Sequence, residues 1–119
     1  MIIALVWATN NTEKYWNKIL KDLISKWHKV IPINPKEKEI EWLKCHANLW
    51  VIWNNYDIIN FVVRPEITYQ ILEKYRKKIL KKQIWCQPWA SDERVKNFLE
   101  NHNFKSYITD SCIMIEKIN

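Results

Sequence analysis

Thr9, Lys14, Lys36 and Arg64 are suited to hold an anion, and each stands shortly after a run of apolar residues. The turn Trp7-Ala8-Thr9-Asn10 closes the first run, with Lys14 and Trp16 behind it. A turn so placed would offer a phosphate its backbone N–H groups and the positive end of the following helix. Thr9 would add a hydroxyl and Lys14 a charge. Asn34-Pro35-Lys36 closes the second run. A dinucleotide site would carry an acid there for the ribose diol. Here Asn34 and Lys36 stand instead, and a cation favours a ribose that bears a phosphate. Arg64-Pro65 and Gln87-Pro88-Trp89-Ala90 close two further runs and would line the rest of the cleft.

Other chemistry is thinly represented. His28, His46 and His102 have no metal-ligand spacing, so no metal site is expected. There is no nucleophile elbow and no carboxylate pair suited to hydrolysis, so binding is expected and catalysis is not. Cys45, Cys86 and Cys112 are odd in number and lack a C-x-x-C spacing. A reducing cytosol is the expected compartment. Cys112, in Asp110-Ser111-Cys112, places a thiol near the expected cleft end, although a structural cysteine is the plainer reading. Lys74, Arg76, Lys77, Lys78, Lys81 and Lys82 crowd one stretch of a chain of net charge +6. That face could grip a nucleic-acid backbone; a solvated surface is the expected reading, with no nucleic acid and no membrane as partners.

The segments that must position these groups alternate between strand and helix. Ile2–Val6 is short and apolar, a buried strand with no basic region before it. Apolar positions at helical spacing predict a helix over Lys14–Lys26. A strand is expected at Lys29–Ile33, a mixed stretch holding a short helix or loop at Lys36–Ala47, and a weak strand near Leu49–Ile52. Ile58–Val63 reads as a strong strand. Glu66–Lys82 reads as a helix, with Ile67, Ile71, Tyr75 and Ile79 spaced at four. A strand at Gln83–Gln87 follows, then a helix at Asp92–His102 capped by Ser91, and a strand at Lys105–Thr109. Cys112–Lys117 could be a strand or a closing turn. This order argues one domain over residues 1–119, an α/β fold. Its core would be a doubly wound sheet of about five parallel strands with helices on both faces. Ligands of such sheets bind beyond the carboxyl ends of the strands.

Two features of the composition are abnormal. Glycine is absent and tryptophan occurs eight times in 119 residues, where ordinary usage predicts about 8 glycines. Ile (18), Lys (16) and Asn (12), all with A/T-rich codons, dominate the rest. UGA is read as glycine in some lineages and as tryptophan in others, and translation with the wrong one of those codes would produce this exchange. The positions fit. Trp7 follows a strand where backbone must approach a ligand. Trp16 lies in the first helical turn, and Trp27 follows a helix where a left-handed cap is commonly glycine. Trp42, Trp53 and Trp89 lie in connections, and Trp50 is less clear. Trp85 lies inside a strand and reads as a true tryptophan. The competing expectation is a Trp-rich core in a family relic whose ancestral site the indoles close.

With glycine substituted in thought, the chain resembles the small single-domain CoA-binding proteins. Val6-Trp7-Ala8-Thr9-Asn10-Asn11-Thr12-Glu13-Lys14-Tyr15-Trp16-Asn17-Lys18-Ile19 is similar to that family's V-G-A-S/T-x-x-x-x-K-x-G-x-x-I/V loop. Trp27–Lys36 resembles its G-x-x-V-x-P-V-N-P stretch, and Trp42-Leu43-Lys44-Cys45 its G-x-x-C/S segment. Ile84–Ala90 resembles I-W-x-Q-P-G-A, and Asp110–Glu116 resembles D-x-C-I-M-x-E. Thr12 departs from a frequent proline, and Asn48–Asn55 is unlike the family. The resemblance implies a Rossmann-like domain related to the CoA-binding portion of succinyl-CoA synthetase-type enzymes. It implies CoA or acyl-CoA as ligand, with no established catalysis. NADP is an alternative, since Lys36 would serve its 2′-phosphate equally. NAD is weaker, because Thr9 and Thr12 break G-x-G-x-x-G.

Overall fold

In the computed structural model, which describes residues 1–7, 15–49 and 55–114, the apolar runs form one five-stranded parallel sheet. Its strands are β1 (Ile2–Val6), β2 (Lys29–Ile33), β5 (Ile58–Phe61), β6 (Gln83–Cys86) and β7 (Ser106–Ile108). Their spatial order is β2-β1-β5-β6-β7. A separate antiparallel hairpin joins β3 (Glu39–Ile40) to β4 (Leu43–Lys44). Among the described residues three α-helices flank the sheet: α1 (Tyr15–Ser25), α2 (Pro65–Ile79) and α3 (Glu93–Asn101). Val6 lies opposite Ile33 on one side and Phe61 on the other, and Phe61 lies opposite Cys86. The carboxyl ends of four strands therefore share one edge.

Both sheet faces are covered, which is why the strands read as continuous apolar runs. Ala4, Val6, Ile59, Phe61 and Ile84 pack under α2 and α3 with Leu72, Val95 and Leu99. Ile3, Leu5, Ile58 and Trp85 pack on the opposite face with Ile19, Leu20 and Leu23 of α1, and with Ile113. Among the described residues, no helix is long and apolar enough to cross a membrane.

Two details depart from the expectations. The stretch Lys36–Ala47 holds the β3–β4 hairpin in place of a helix or loop. The cap of α3 is Asp92, whose Oδ1 accepts from Val95 N at 3.0 Å. Ser91 instead donates from its hydroxyl to Thr109 O. On α2 the fully buried residues are Thr68, Leu72 and Ile79, while Ile67, Ile71 and Tyr75 are only partly covered. Steps of four residues advance about 40° around a helix, so a stripe spaced at four drifts off any one face. In the stretch Cys112–Lys117 the turn Ile113-Met114 follows Cys112, and residues 115–117 lie outside the described residues. Of the weak strand near Leu49–Ile52, Leu49 is buried in a connection and residues 50–52 lie outside them too.

Two tryptophans sit in glycine backbone geometry. After α1, His28 N donates to Leu23 O and Trp27 N to Ile24 O. This is the paired bonding of a Schellman cap, whose left-handed residue is usually glycine. Trp27 occupies that position at φ 68° with its side chain 94% exposed. The hairpin turn is Glu41-Trp42, with φ of 47° and 59°. Positive φ at both central residues marks a type I′ turn, where glycine is favoured second. Trp42 fills that second position and is 74% exposed.

Candidate ligand cleft at the strand ends

The strand order creates the cleft. From β1 the chain passes through α1 on one face to reach β2, whereas β5, β6 and β7 are joined by α2 and α3 on the other face. The connections leaving β1 and β5 therefore diverge, and neighbouring strands whose connections diverge leave a crevice beyond their carboxyl ends. Trp7 stands at that edge, half-buried. It lines a cavity of about 240 Å³ together with Val6, Ile33, Pro35 and Leu49, closed on the α2 side by Ile71 and Tyr75. The partly covered stripe of α2 is thus a cavity wall. Gln70, Lys74 and Asn48 supply polar atoms to the same cavity.

Beside it, the loop after β2 is fixed by its backbone. Asn34 N donates to His46 O at 2.9 Å, and Asn34 Oδ1 accepts from Lys36 N at 2.8 Å. This Asx turn holds Lys36 exposed at the rim. Arg64 precedes α2 and Pro65 opens it, the first helical position that proline favours. The Arg64 side chain is exposed, and its 4.0 Å pairing with Glu66 is a solvent-screened contact.

The segment after β6 divides between interior and surface. Gln87 is buried: its Oε1 accepts from Ile113 N at 3.0 Å and its Nε2 donates to Cys112 Sγ at 3.0 Å. Its amide thereby clamps the turn after β7. Ala90 is buried under α2 and α3. Pro88 and Trp89 remain at the surface, in the 3₁₀ turn Pro88–Ala90. Trp89 donates from Nε1 to Val62 O at 2.9 Å and meets the Tyr15 ring edge-on at 4.8 Å. Its indole therefore lies across the ends of β5 and β6, reaching α1. Trp16, the second residue of α1, is half-buried against the α1-side core. Ala8, Thr9, Asn10 and Lys14 lie outside the described residues, as do Trp50 and Trp53.

Three neighbours of this segment were not among the expected site residues or not expected to meet. Tyr15 Oη lies 3.8 Å from Cys112 Sγ. That hydrogen bond, and then burial, holds the phenol above its ordinary pKa, so it stays protonated. Asn60 is fully buried in β5, and its Nδ2 donates to Gln87 Oε1 at 3.5 Å. The visible signal was an amide interrupting the apolar run Ile58–Val63. Among the described residues, no group of three or more His, Cys, Asp or Glu lies close enough to hold a metal ion.

Comparison with known proteins identifies the family and the fold. The model of the CoA binding domain family matches residues 2–118. The ADP-forming acetate–CoA ligase of Methanocaldococcus jannaschii is 30% identical over 120 residues, covering 95% of this chain. This chain spans only 17% of that ligase's length. A conserved hypothetical protein from Pyrococcus furiosus has the same fold with a TM-score of 0.88, 38% identity, and 98% and 97% coverage of the two chains. A hypothetical protein from Pyrococcus horikoshii OT3 shares the fold at a TM-score of 0.81 and 23% identity, over 95% of this chain and 78% of its own. On these matches, across nearly its whole length, the chain belongs to the family of CoA binding domains.

Proposed function

We propose that this chain binds CoA or an acyl-CoA across the carboxyl edge of its sheet, and that it does so without catalysis. The observation that carries this reading is the cavity beside the β1–β5 crossing, walled by Trp7 and Pro35 from two of the family-like segments. The nucleotide end lies toward β2, where the apolar wall of Ile33, Pro35 and Ile71 suits a base. Lys36, at the rim, faces the 3′-phosphate of the ribose. The pantetheine arm runs from the crossing toward β6 and β7.

Lys36→Glu tests that orientation. A charge-assisted hydrogen bond contributes about 1.5–3 kcal/mol, and each 1.4 kcal/mol is about tenfold in affinity. Lys36 is exposed, so the lower end applies. The substitution is expected to weaken CoA about tenfold and to leave dephospho-CoA nearly unaffected, read by isothermal titration calorimetry. Equal losses for both ligands overturn the role of Lys36. Thermal stabilisation by CoA but not by NAD or NADP supports CoA as the ligand, since a ligand specific to the native state raises its stability.

The same reading makes Trp7, Trp16, Trp27, Trp42, Trp50, Trp53 and Trp89 glycine in the source organism, decoded from UGA. The left-handed backbone of Trp27 and Trp42 supports this. An intact mass of the protein isolated from its own source is expected to fall below that of the written sequence by seven Trp-to-Gly differences. A mass equal to the written sequence rejects recoding.

A further inference from the structure

We propose that Cys112 is a thiol-exchange site, at which the chain captures CoA as a mixed disulfide from CoA disulfide. The proposal rests on the CoA reading above and adds a covalent step to it.

The three thiols differ in setting. Cys86 is fully buried in β6, and burial pushes its thiol up to about 12. Cys45 is buried beside β4, its Sγ against the carbonyls of Asn34 and His46. Cys112 alone of the three is part-exposed. It lies beyond the carboxyl end of β7, on the edge where the ligand cleft opens. Gln87 Nε2 donates to its sulfur, and Tyr15 Oη is within hydrogen-bond reach. Donors at sulfur suit an atom that must carry negative charge while disulfides exchange.

A second, independent observation comes from Asn60. Its register partners Leu5 and Trp85 both face α1, so the Asn60 side chain lies on the face where Tyr15 and Cys112 meet. Its Oδ1 is buried and has no hydrogen-bond partner among the described residues. A buried acceptor left unmet costs about 1–3 kcal/mol. This one stands one residue short of the end of β5, at the crossing. The pantetheine arm of CoA carries two amide N–H groups, either of which would satisfy it. From β5 to β7 is two strand spacings, about 10 Å, within reach of the rest of that arm. Asn60, Gln87 and Cys112 thus form a continuous row from the crossing to a thiol.

The step balances with CoA disulfide as the oxidant. The Cys112 thiol gives its proton to solvent, and its sulfur attacks one sulfur of the disulfide. A bond from Cys112 Sγ to that sulfur forms, the CoA S–S bond breaks, and the second CoA leaves as a thiolate that takes up a proton. Reduced thiols in solution reverse the reaction.

The full chain, as written and with Trp89→Gly, is incubated with CoA disulfide or with oxidised glutathione, and its intact mass and peptide map are read without reductant. One CoA on Cys112 is expected in at least one of the two chains, formed at least tenfold faster than the glutathione adduct and removed by dithiothreitol. Cys112→Ser is expected to abolish it and Cys45→Ser to retain it. The peptide map of the unsubstituted chain decides the site even where a variant fails to fold. No adduct in either chain, an adduct on Cys45 or Cys86, or equal rates with the two disulfides overturns the proposal. Equilibrium dialysis with reduced CoA separates the two failures. Reversible binding without an adduct removes the capture alone; no binding and no adduct remove the CoA reading with it.

Discussion

Trp85→Gly is expected to lower stability by about 3–5 kcal/mol, the range for emptying a large aromatic site in a core. Trp27→Gly and Trp42→Gly are expected to raise it. Trp85 is 3% exposed, packs on the α1 face of the sheet, and donates from Nε1 to Ser111 O at 2.8 Å. Its removal leaves a cavity, an unmet carbonyl, and glycine in a strand. A domain of this size has roughly 5–15 kcal/mol in all, so the loss brings the fold near its limit. At Trp27 the terms reverse. A left-handed residue with a Cβ costs about 1–2 kcal/mol, and a side chain 94% exposed has little packing to lose. Glycine returns part of the gain, about 0.4–1 kcal/mol, by loosening the unfolded chain. A net rise of about 1 kcal/mol is expected at each of the two positions. Urea unfolding at constant m-value reads both directions. A destabilised Trp27→Gly overturns the assignment of that position as a glycine cap.

The same contrast explains which parts of the fold were legible. β1 and β2 were bounded to the residue, because a β-branched run closed by turn residues leaves little freedom. The carboxyl edge of the sheet followed from βαβ alternation, whereas the place of the crevice along that edge needed the strand order. The β3–β4 hairpin was hidden for a local reason. Its strands have two residues each, too few for any period to register. Its turn would announce itself by glycine at the second central position, and Trp42 stands there. Ser91 and Asp92 both accept hydrogen bonds well enough to cap a helix; only the backbone of Asp92 decided between them. The depth of the α2 stripe was not legible, since Ile67, Ile71 and Tyr75 wall a cavity that exists only once β1 and β2 are adjacent. The meeting of Tyr15, Gln87 and Cys112 depends likewise on strand order, which brings residues 97 positions apart to 3.8 Å.

Trp89→Gly is expected to tighten CoA binding roughly 5- to 150-fold. For a pantetheine arm to cross from β5 to β6, the indole must leave its place over Val62. That breaks its 2.9 Å hydrogen bond, a contribution of about 0.5–1.5 kcal/mol. It also breaks the edge-on contact with Tyr15, another 0.5–1.5 kcal/mol or so. The ligand must offset about 1–3 kcal/mol before its own contacts count, and that sum converts to the stated range. Glycine removes the obstacle and frees the Val62 carbonyl for an amide of the arm. Trp27→Gly is the control: it lies after α1, at the amino edge of the sheet, and is expected to leave affinity unchanged. Titration calorimetry of the two variants against the written chain reads the difference. If Trp89→Gly and Trp27→Gly bind CoA alike, the arm does not pass over Val62, and the ligand's path must run along the α2 side of the edge instead.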